Sequence, residues 1–196
     1  MNINNFDNRL KKVRLFQFFP IVALVLITSI GISYAWFSAN LTGGEDSTSI
    51  TVGSGTMDIT YAGGPSITAI NISPKSAAFA TKTITITGNS TTDLDMAYKL
   101  TLQVQTNTFT ANALKWRLAS DNSGKNGTII PAKTTDQNTG TGASAINLGS
   151  GNFVSPTEGA KIHAYTLTLF FPETSTNQNV DKGKSFTAYV KIENVN

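Results

Sequence analysis

The chain has 196 residues, no cysteine and one histidine, His163. That length holds one domain of ordinary size plus a targeting segment, while the lack of thiols and the lone imidazole exclude a disulfide framework, thiolate catalysis and a two-histidine zinc site. The formal charge of +3 belongs to the start of the chain, where Arg9, Lys11, Lys12 and Arg14 outweigh Asp7; the remaining charges cancel, so no basic face for nucleic acid is expected.

Met1 to Arg14 is polar and ends in LKKVR, and Leu15 to Ile32 is apolar apart from Gln17, Pro20, Thr28, Ser29 and Gly31. This is the layout of a signal peptide, a basic region followed by a hydrophobic one. Ser33 and Ala35 stand at the −3 and −1 places of a small-x-small cleavage site, which predicts a cut between Ala35 and Trp36 by a signal peptidase. The rival reading is a retained membrane anchor: the apolar run approaches the roughly 20 residues that cross a bilayer, and Trp36 with Phe37 would extend it as an interfacial aromatic belt. Either way the basic cluster stays inside and the rest of the chain is exported, as a secreted or cell-surface domain. A pilin-type leader would need an acidic residue just inside the hydrophobic run, and none occurs between Leu15 and Phe37.

Beyond Gly43 the apolar residues recur in twos. GTMDITYA places Met57, Ile59 and Tyr61 on one face, TKTITITG places Ile84 and Ile86, and MAYKLTLQV places Met96, Tyr98, Leu100, Leu102 and Val104. LKWRLAS offers Leu114, Trp116 and Leu118; HAYTLTLFF offers Tyr165, Leu167, Leu169 and Phe171; SFTAYVKIE offers Phe186, Ala188, Val190 and Ile192. Alternation of this kind is the mark of half-buried strands. AGGP at 62–65, GNSTTD at 88–93, DNSGKNG at 121–127 and VDKGK at 180–184 supply turns between them. Strands that are apolar on one face need a second sheet to cover that face. The expected fold is therefore all-β, an antiparallel β-sandwich of jelly-roll type over residues 48–196, preceded by the hydrophobic segment 1–35. The low-complexity stretch 133–152, KTTDQNTGTGASAINLGSGN, reads as a surface loop.

Chemistry-bearing motifs are few. No GxSxG, phosphate-binding loop or motif-placed acid pair occurs, so no enzyme, cofactor or metal is expected. Asp93 with Asp95, and the DNSGKNG loop, lack the alternating carboxylates of a dedicated calcium loop and read as turns. His163 reads as a strand side chain at the sheet surface or core margin rather than a catalyst. Sequons stand at Asn40, Asn71, Asn89 and Asn126, as many as this Asn-, Ser- and Thr-rich composition produces by itself.

The order of features resembles the TasA/camelysin-like family of exported fibre and matrix proteins. The hydrophobic run leads into AWFSA. Gly55, Thr56, Met57, Asp58 and Ile59 match the family's first strand. Ile72, Pro74 and Lys75, with Gly88, Asn89 and Ser90, match the turns around its next one, and Gly183 and Ser185 precede the last strand at Phe186. The match is good to about Leu102 and loose at the end; PKS stands where the family has PGD. The resemblance implies cleavage by a SipW-type signal peptidase, a jelly roll, and head-to-tail homopolymerisation in which the freed N-terminal segment is donated to the next subunit as a strand. On that reading residues 36–47 are the donated arm, Trp36 and Phe37 its anchors, and Gly43 with Gly44 its hinge. A protease activity ascribed to camelysin is not implied here, since no His and Glu pair is present to hold zinc. The alternative is a monomeric, adhesin-like surface protein kept on the membrane by an uncleaved N-terminal helix.

Overall fold

The computed structural model describes residues 42–43, 50–54, 57–88, 95–154 and 159–195. The leader, Ser33 and Ala35 of the junction, Trp36, Phe37, Asn40, Gly44 and Asn89 lie outside the described residues. Among the described residues no helix is long and apolar enough to cross a membrane.

The strands are β1 (Thr42–Gly43), β2 (Ile50–Ser54), β3 (Met57–Ala62), β4 (Ile67–Ile70), β5 (Ala80–Gly88), β6 (Met96–Asn107), β7 (Lys115–Asp121), β8 (Lys133–Asn138), β9 (Ser144–Phe153), β10 (Lys161–Phe170) and β11 (Ser185–Asn194). One 3-10 turn, Asn179–Asp181, precedes β11. The first sheet has the order β1-β11-β6-β9, with β4 also paired to β11; the second runs β2-β3-β5-β10-β7-β8. All the pairings are antiparallel. The chain changes sheets at every step except β2 to β3 and β7 to β8.

The period-two residues of the sequence are the core. Met96, Tyr98, Leu100, Leu102 and Val104 of β6 and Phe186, Ala188, Val190 and Ile192 of β11 are buried. They pack in one cluster with Ile59 and Tyr61 of β3, Ile84 and Ile86 of β5, Trp116 and Leu118 of β7, and Tyr165, Leu167 and Leu169 of β10. Each aliphatic or aromatic side chain so buried contributes about 1.5–3 kcal/mol, which is what holds a cysteine-free sandwich closed. The Tyr61 hydroxyl crosses between the sheets and donates to the Val190 carbonyl at 3.0 Å. Lys82 falls on the inward row of β5, and its ammonium reaches the carbonyls of Gly64 and Pro65 at 3.2 and 2.6 Å. A long aliphatic stem fills that place while its head meets backbone oxygens.

The surface loop expected at 133–152 is instead two strands, β8 in one sheet and β9 in the other. Two local irregularities hid them. In the β6–β9 ladder Leu100 faces Gly149 while Thr101 faces Asn147, so Leu148 is an extra residue. The bulge shifts the phase of alternation: Leu148, Gly151 and Phe153 are all buried, and the step from Leu148 to Gly151 is three residues rather than two. In β8 nearly every side chain is exposed. Its strand state comes from backbone pairing to β7 and from polar cross-strand contacts, neither of which leaves a hydrophobic pattern to read.

Candidate functional site

Among the described residues the candidate places are the β11 edge, a buried hydroxyl–imidazole chain, and a cleft where β11 begins.

Thr42 pairs with Glu193 and Gly43 with Ile192. On the same side of β11, β4 covers residues 185–188. Two short strands therefore share one edge, and among the described residues no strand pairs with 189–191 between them on that side. Gly43, expected as half of a hinge, is the second residue of β1 and is engaged with β11.

The outer strands β8 and β9 are guarded, while β2, the other outer strand of the second sheet, pairs with β3. Opposite Trp116 to Leu118, β8 spends the residues Lys133 to Gln137, so Thr134, Thr135 and Asp136 bow out of the ladder. Asp136 takes a hydrogen bond from the Arg117 guanidinium at 2.6 Å, and that guanidinium lies 4.9 Å from the centre of the Phe170 ring. Gln137 folds its amide back onto the Thr135 carbonyl at 3.2 Å. A bulged, charged, self-capped strand is a poor template for another chain. The outer edge of β9 is partly covered where Thr128 pairs with Asn152. Arg117 and Asp136 are both substantially exposed, so Arg117→Ala should cost less than about 1 kcal/mol in a urea melt. Its larger effect should be on colloidal stability, read as faster sheet-rich aggregation by light scattering, because the edge loses a guard.

His163 is the unexpected feature of the core. It is fully buried on the inward row of β10, stacked on Phe153 with ring centroids 4.1 Å apart. Its Nε2 lies 2.7 Å from the Asn126 carbonyl. A carbonyl only accepts, so Nε2 carries the proton and Nδ1 is a bare acceptor. The Tyr98 hydroxyl, 2.6 Å from Nδ1, must donate to it. With its proton spent there, Tyr98 accepts from the Tyr165 hydroxyl, and Tyr165 accepts from the Ile130 N–H at 3.1 Å. The chain of donors thus has one direction: Ile130 N–H to Tyr165 to Tyr98 to His163, with His163 closing onto Asn126. Burial holds the His163 imidazole below its ordinary pKa, against the opposing pull of the Asn126 carbonyl. Burial likewise pushes both tyrosine hydroxyls upward, Tyr98 further because the Tyr165 hydroxyl lies against it. Glycines make the room. Gly151 lies opposite Tyr98 in the β6–β9 ladder, where a Cβ would strike the Tyr98 hydroxyl. Gly127, at φ +62, lets the chain pass against the Asn152 carbonyl. Every polar side-chain atom of the relay has a partner, so the chain of hydrogen bonds ties β6, β10 and the 126–130 segment together in the core.

The sequons fall differently. Asn71 is exposed just after β4, in the left-handed region at φ +55. Asn126 is tied in: its side chain donates to the Val154 carbonyl at 2.9 Å and accepts from the Val154 N–H at 3.0 Å. A glycan on its Nδ2 would break the first of these bonds. The DNSGKNG stretch is closed by Asn122, whose side chain bonds both the N–H and the carbonyl of Asn126. Among the described residues no group of three or more His, Asp or Glu is placed to hold a metal ion.

At the end of the sandwich where β11 begins, loops 71–79 and 171–184 enclose an open cleft of about 550 Å³. Its base is Ile72, Pro74 and Phe171, and polar residues including Glu173, Gln178 and Lys182 line the walls. Asp181 is buried beneath it, its two oxygens taking the Thr110 N–H at 2.7 Å and the Thr110 hydroxyl at 2.9 Å. Gln178 braces the wall, donating to the Pro172 carbonyl and accepting from the Thr174 N–H. In the sequence VDKGK is a turn signal and no more. Nothing in the spacing signalled that Thr110 waits some seventy residues away to hold Asp181.

No protein-family model matches the chain, and no curated protein matches it.

Proposed function

We propose that the chain is the subunit of an extracellular fibre or cell-surface matrix: exported as a membrane-associated precursor, cut between Ala35 and Trp36 by a signal peptidase, and polymerised with itself head to tail through its N-terminal arm. On this reading it is structural, with no enzymatic activity and no cofactor. A jelly-roll-like topology supports the reading, since two four-stranded layers, β4-β11-β6-β9 and β5-β10-β7-β8, follow the order such a double Greek key requires. The observation that carries it is the edge of β11. There the arm's own residues Thr42 and Gly43 form a two-residue strand beside β4, while β8 is bulged and charged. An arm that begins pairing at a partly covered edge is suited to being shared between subunits. Contacts of that kind do not close on themselves and give filaments.

The test is assembly of the chain beginning at Trp36, viewed by negative-stain microscopy. Burying Trp36 and Phe37 in a neighbour is worth roughly 1.5–3 kcal/mol each, so Trp36→Ser with Phe37→Ser should leave a folded domain and abolish filaments. Filaments forming at the wild-type rate in that double variant would defeat the arm's role.

A second reading, a monomeric adhesin-like surface protein held by an uncleaved helix, draws support from the same pairing, because β1 here completes its own subunit. N-terminal sequencing separates the two. Secreted material starting at Trp36 supports the fibre; full-length chain confined to membranes supports the anchor.

A further inference from the structure

We propose that residues 122–132, the segment between β7 and β8, form a strap latched over His163, and that protonation of His163 unlatches the strap while both sheets stay folded. This surface plays no part in the fibre reading, so the device stands whether or not the chain polymerises.

The relay both starts and ends on this segment. Ile130 gives its N–H to the Tyr165 hydroxyl at 3.1 Å, and the Asn126 carbonyl accepts from His163 Nε2 at 2.7 Å. Between these points Thr128 pairs with Asn152 on the outer edge of β9, N–H to carbonyl at 3.0 Å one way and 2.8 Å the other. The Asn126 side chain makes a further pair of bonds with the Val154 backbone. Apolar anchorage is thin by comparison. Among 122–132 only Ile130 is buried, seated where a Cβ on Gly149 would strike its Cγ2, and Ile129 is partly buried against the core. A segment held mainly by hydrogen bonds near solvent, with one buried side chain, opens at far lower cost than a strand of either sheet.

A second ring proton has one place to go. Nε2–H is already committed to Asn126, so a proton on Nδ1 points at the Tyr98 hydroxyl 2.6 Å away. Tyr98 must then accept it and turn its own proton toward Tyr165. The Tyr165 proton, displaced in turn, faces the Ile130 N–H, donor against donor. The conflict is handed along to the strap's one buried anchor. Lifting the strap there removes it and lets water reach the imidazolium, which burial otherwise disfavours.

Among the described residues the titratable groups facing the imidazole and its relay are the hydroxyls of Tyr98 on β6 and Tyr165 on β10. Ile86 of β5, Phe153 of β9 and Asn126 of the strap carry no titrating group. Lys161 lies against Gly124 and Lys125 is exposed on the strap, so these two cations oppose a further positive charge in the docked form. Asp121, opposite Ala164, and Asp95, just before β6, are both exposed. Linkage sets the size of the response. The docked form refuses the proton and the opened form takes it at an ordinary imidazole pKa near 6.5, so the opening constant rises roughly thirtyfold between pH 7.5 and pH 5. Opening uncovers the edge of β9 at Asn152 and the seat of Ile130 over Gly149, so unpaired backbone is presented there far more often in acid than at neutral pH.

Amide hydrogen exchange of the full chain, dispersed in a non-ionic detergent and corrected for the intrinsic effect of pH on exchange, tests the latch. At pH 7.5 and at pH 5 the Ile130 amide should be at least roughly a hundredfold less protected than those of Leu102 and Gln103 on β6, a strand paired on both sides, which marks an opening smaller than unfolding. From pH 7.5 to pH 5 its protection should fall roughly thirtyfold further, with Thr128 and Asn152 following it. His163→Gln, whose side chain can still bond Asn126 and Tyr98 but does not titrate, should show no such fall. Tyr165→Phe, which removes the acceptor of the Ile130 N–H, should speed Ile130 exchange roughly tenfold at pH 7.5. Ile130 protection that is flat in pH, that falls equally in the glutamine variant, or that matches Leu102 at both pH values overturns the strap. Exchange at Ile130 unchanged by Tyr165→Phe overturns the latch as well.

Discussion

Tyr98→Phe should be among the most damaging conservative substitutions in the sandwich, lowering the free energy of unfolding by about 2–5 kcal/mol. The phenyl ring fits, so no cavity forms; the loss is in hydrogen bonding. Tyr98 is the only member of the relay that both receives and gives a hydroxyl proton to a side chain, from Tyr165 and to His163 Nδ1. Its removal leaves a buried donor and a buried acceptor without partners, each costing about 1–3 kcal/mol. Tyr165→Phe should cost less. It strands the Ile130 N–H but leaves Tyr98 still donating to His163. Against a total stability of about 5–15 kcal/mol for a domain of this kind, the first substitution removes a large share. The check is a pair of urea melts followed through the buried Trp116. A Tyr98→Phe protein within about 0.5 kcal/mol of wild type, or a reversed order of the two variants, would contradict the directed relay.

The relay also shows where the sequence was legible and where it stopped being so. A strand that packs one face against an apolar layer must alternate, and the alternation in MAYKLTLQV and SFTAYVKIE names the buried residues of β6 and β11 correctly. The same rule places Ile84, Ile86, Trp116, Leu118, Leu167 and Leu169. It fails wherever strand state is not driven by apolar burial. β8 is held by its neighbour's backbone and by Arg117 and Asp136, so a polar low-complexity reading was the natural one. β9 alternates only until its bulge. His163 stands two residues before Tyr165 and so belongs to the same inward row, a parity that was there to be read. The expectation of a marginal position followed from the cost of burying a polar ring, and Tyr98 and Asn126 remove that cost by satisfying both nitrogens. Partners that distant in sequence carry no local signal. The cleft was equally hidden, because it depends on Asp181 meeting Thr110 and on two loops converging at one end of the fold.

Acid should weaken the fold in a window set by His163. The imidazole is held below its ordinary value of 6.5 by burial, so the folded state refuses a proton that the unfolded chain accepts. The sign follows from linkage: stability is full above pH 6.5 and falls as the pH drops from there toward the depressed folded value, by up to about 1.4 kcal/mol per pH unit. Geometry says why the proton is refused. Protonation turns Nδ1 into a donor aimed at the Tyr98 hydroxyl, which would have to reverse its own bond and with it the bond from Tyr165. Glu193, whose carboxyl is held below its ordinary 4.5 chiefly by the hydrogen bond from Lys191, acts in a separate window, its contribution being lost only as the pH falls below that value. Among the described residues, the slope between pH 6.5 and 5 should therefore belong to His163. His163→Gln supplies the control, since an amide can donate to Asn126 and accept from Tyr98 yet does not titrate. It should be less stable at neutral pH through loss of the Phe153 stack, but its urea midpoint should stay level across the window while the wild-type midpoint falls. A wild-type midpoint that is flat from pH 6.5 to 5, or a glutamine variant that falls in parallel with it, would show that the buried imidazole does not govern the acid response.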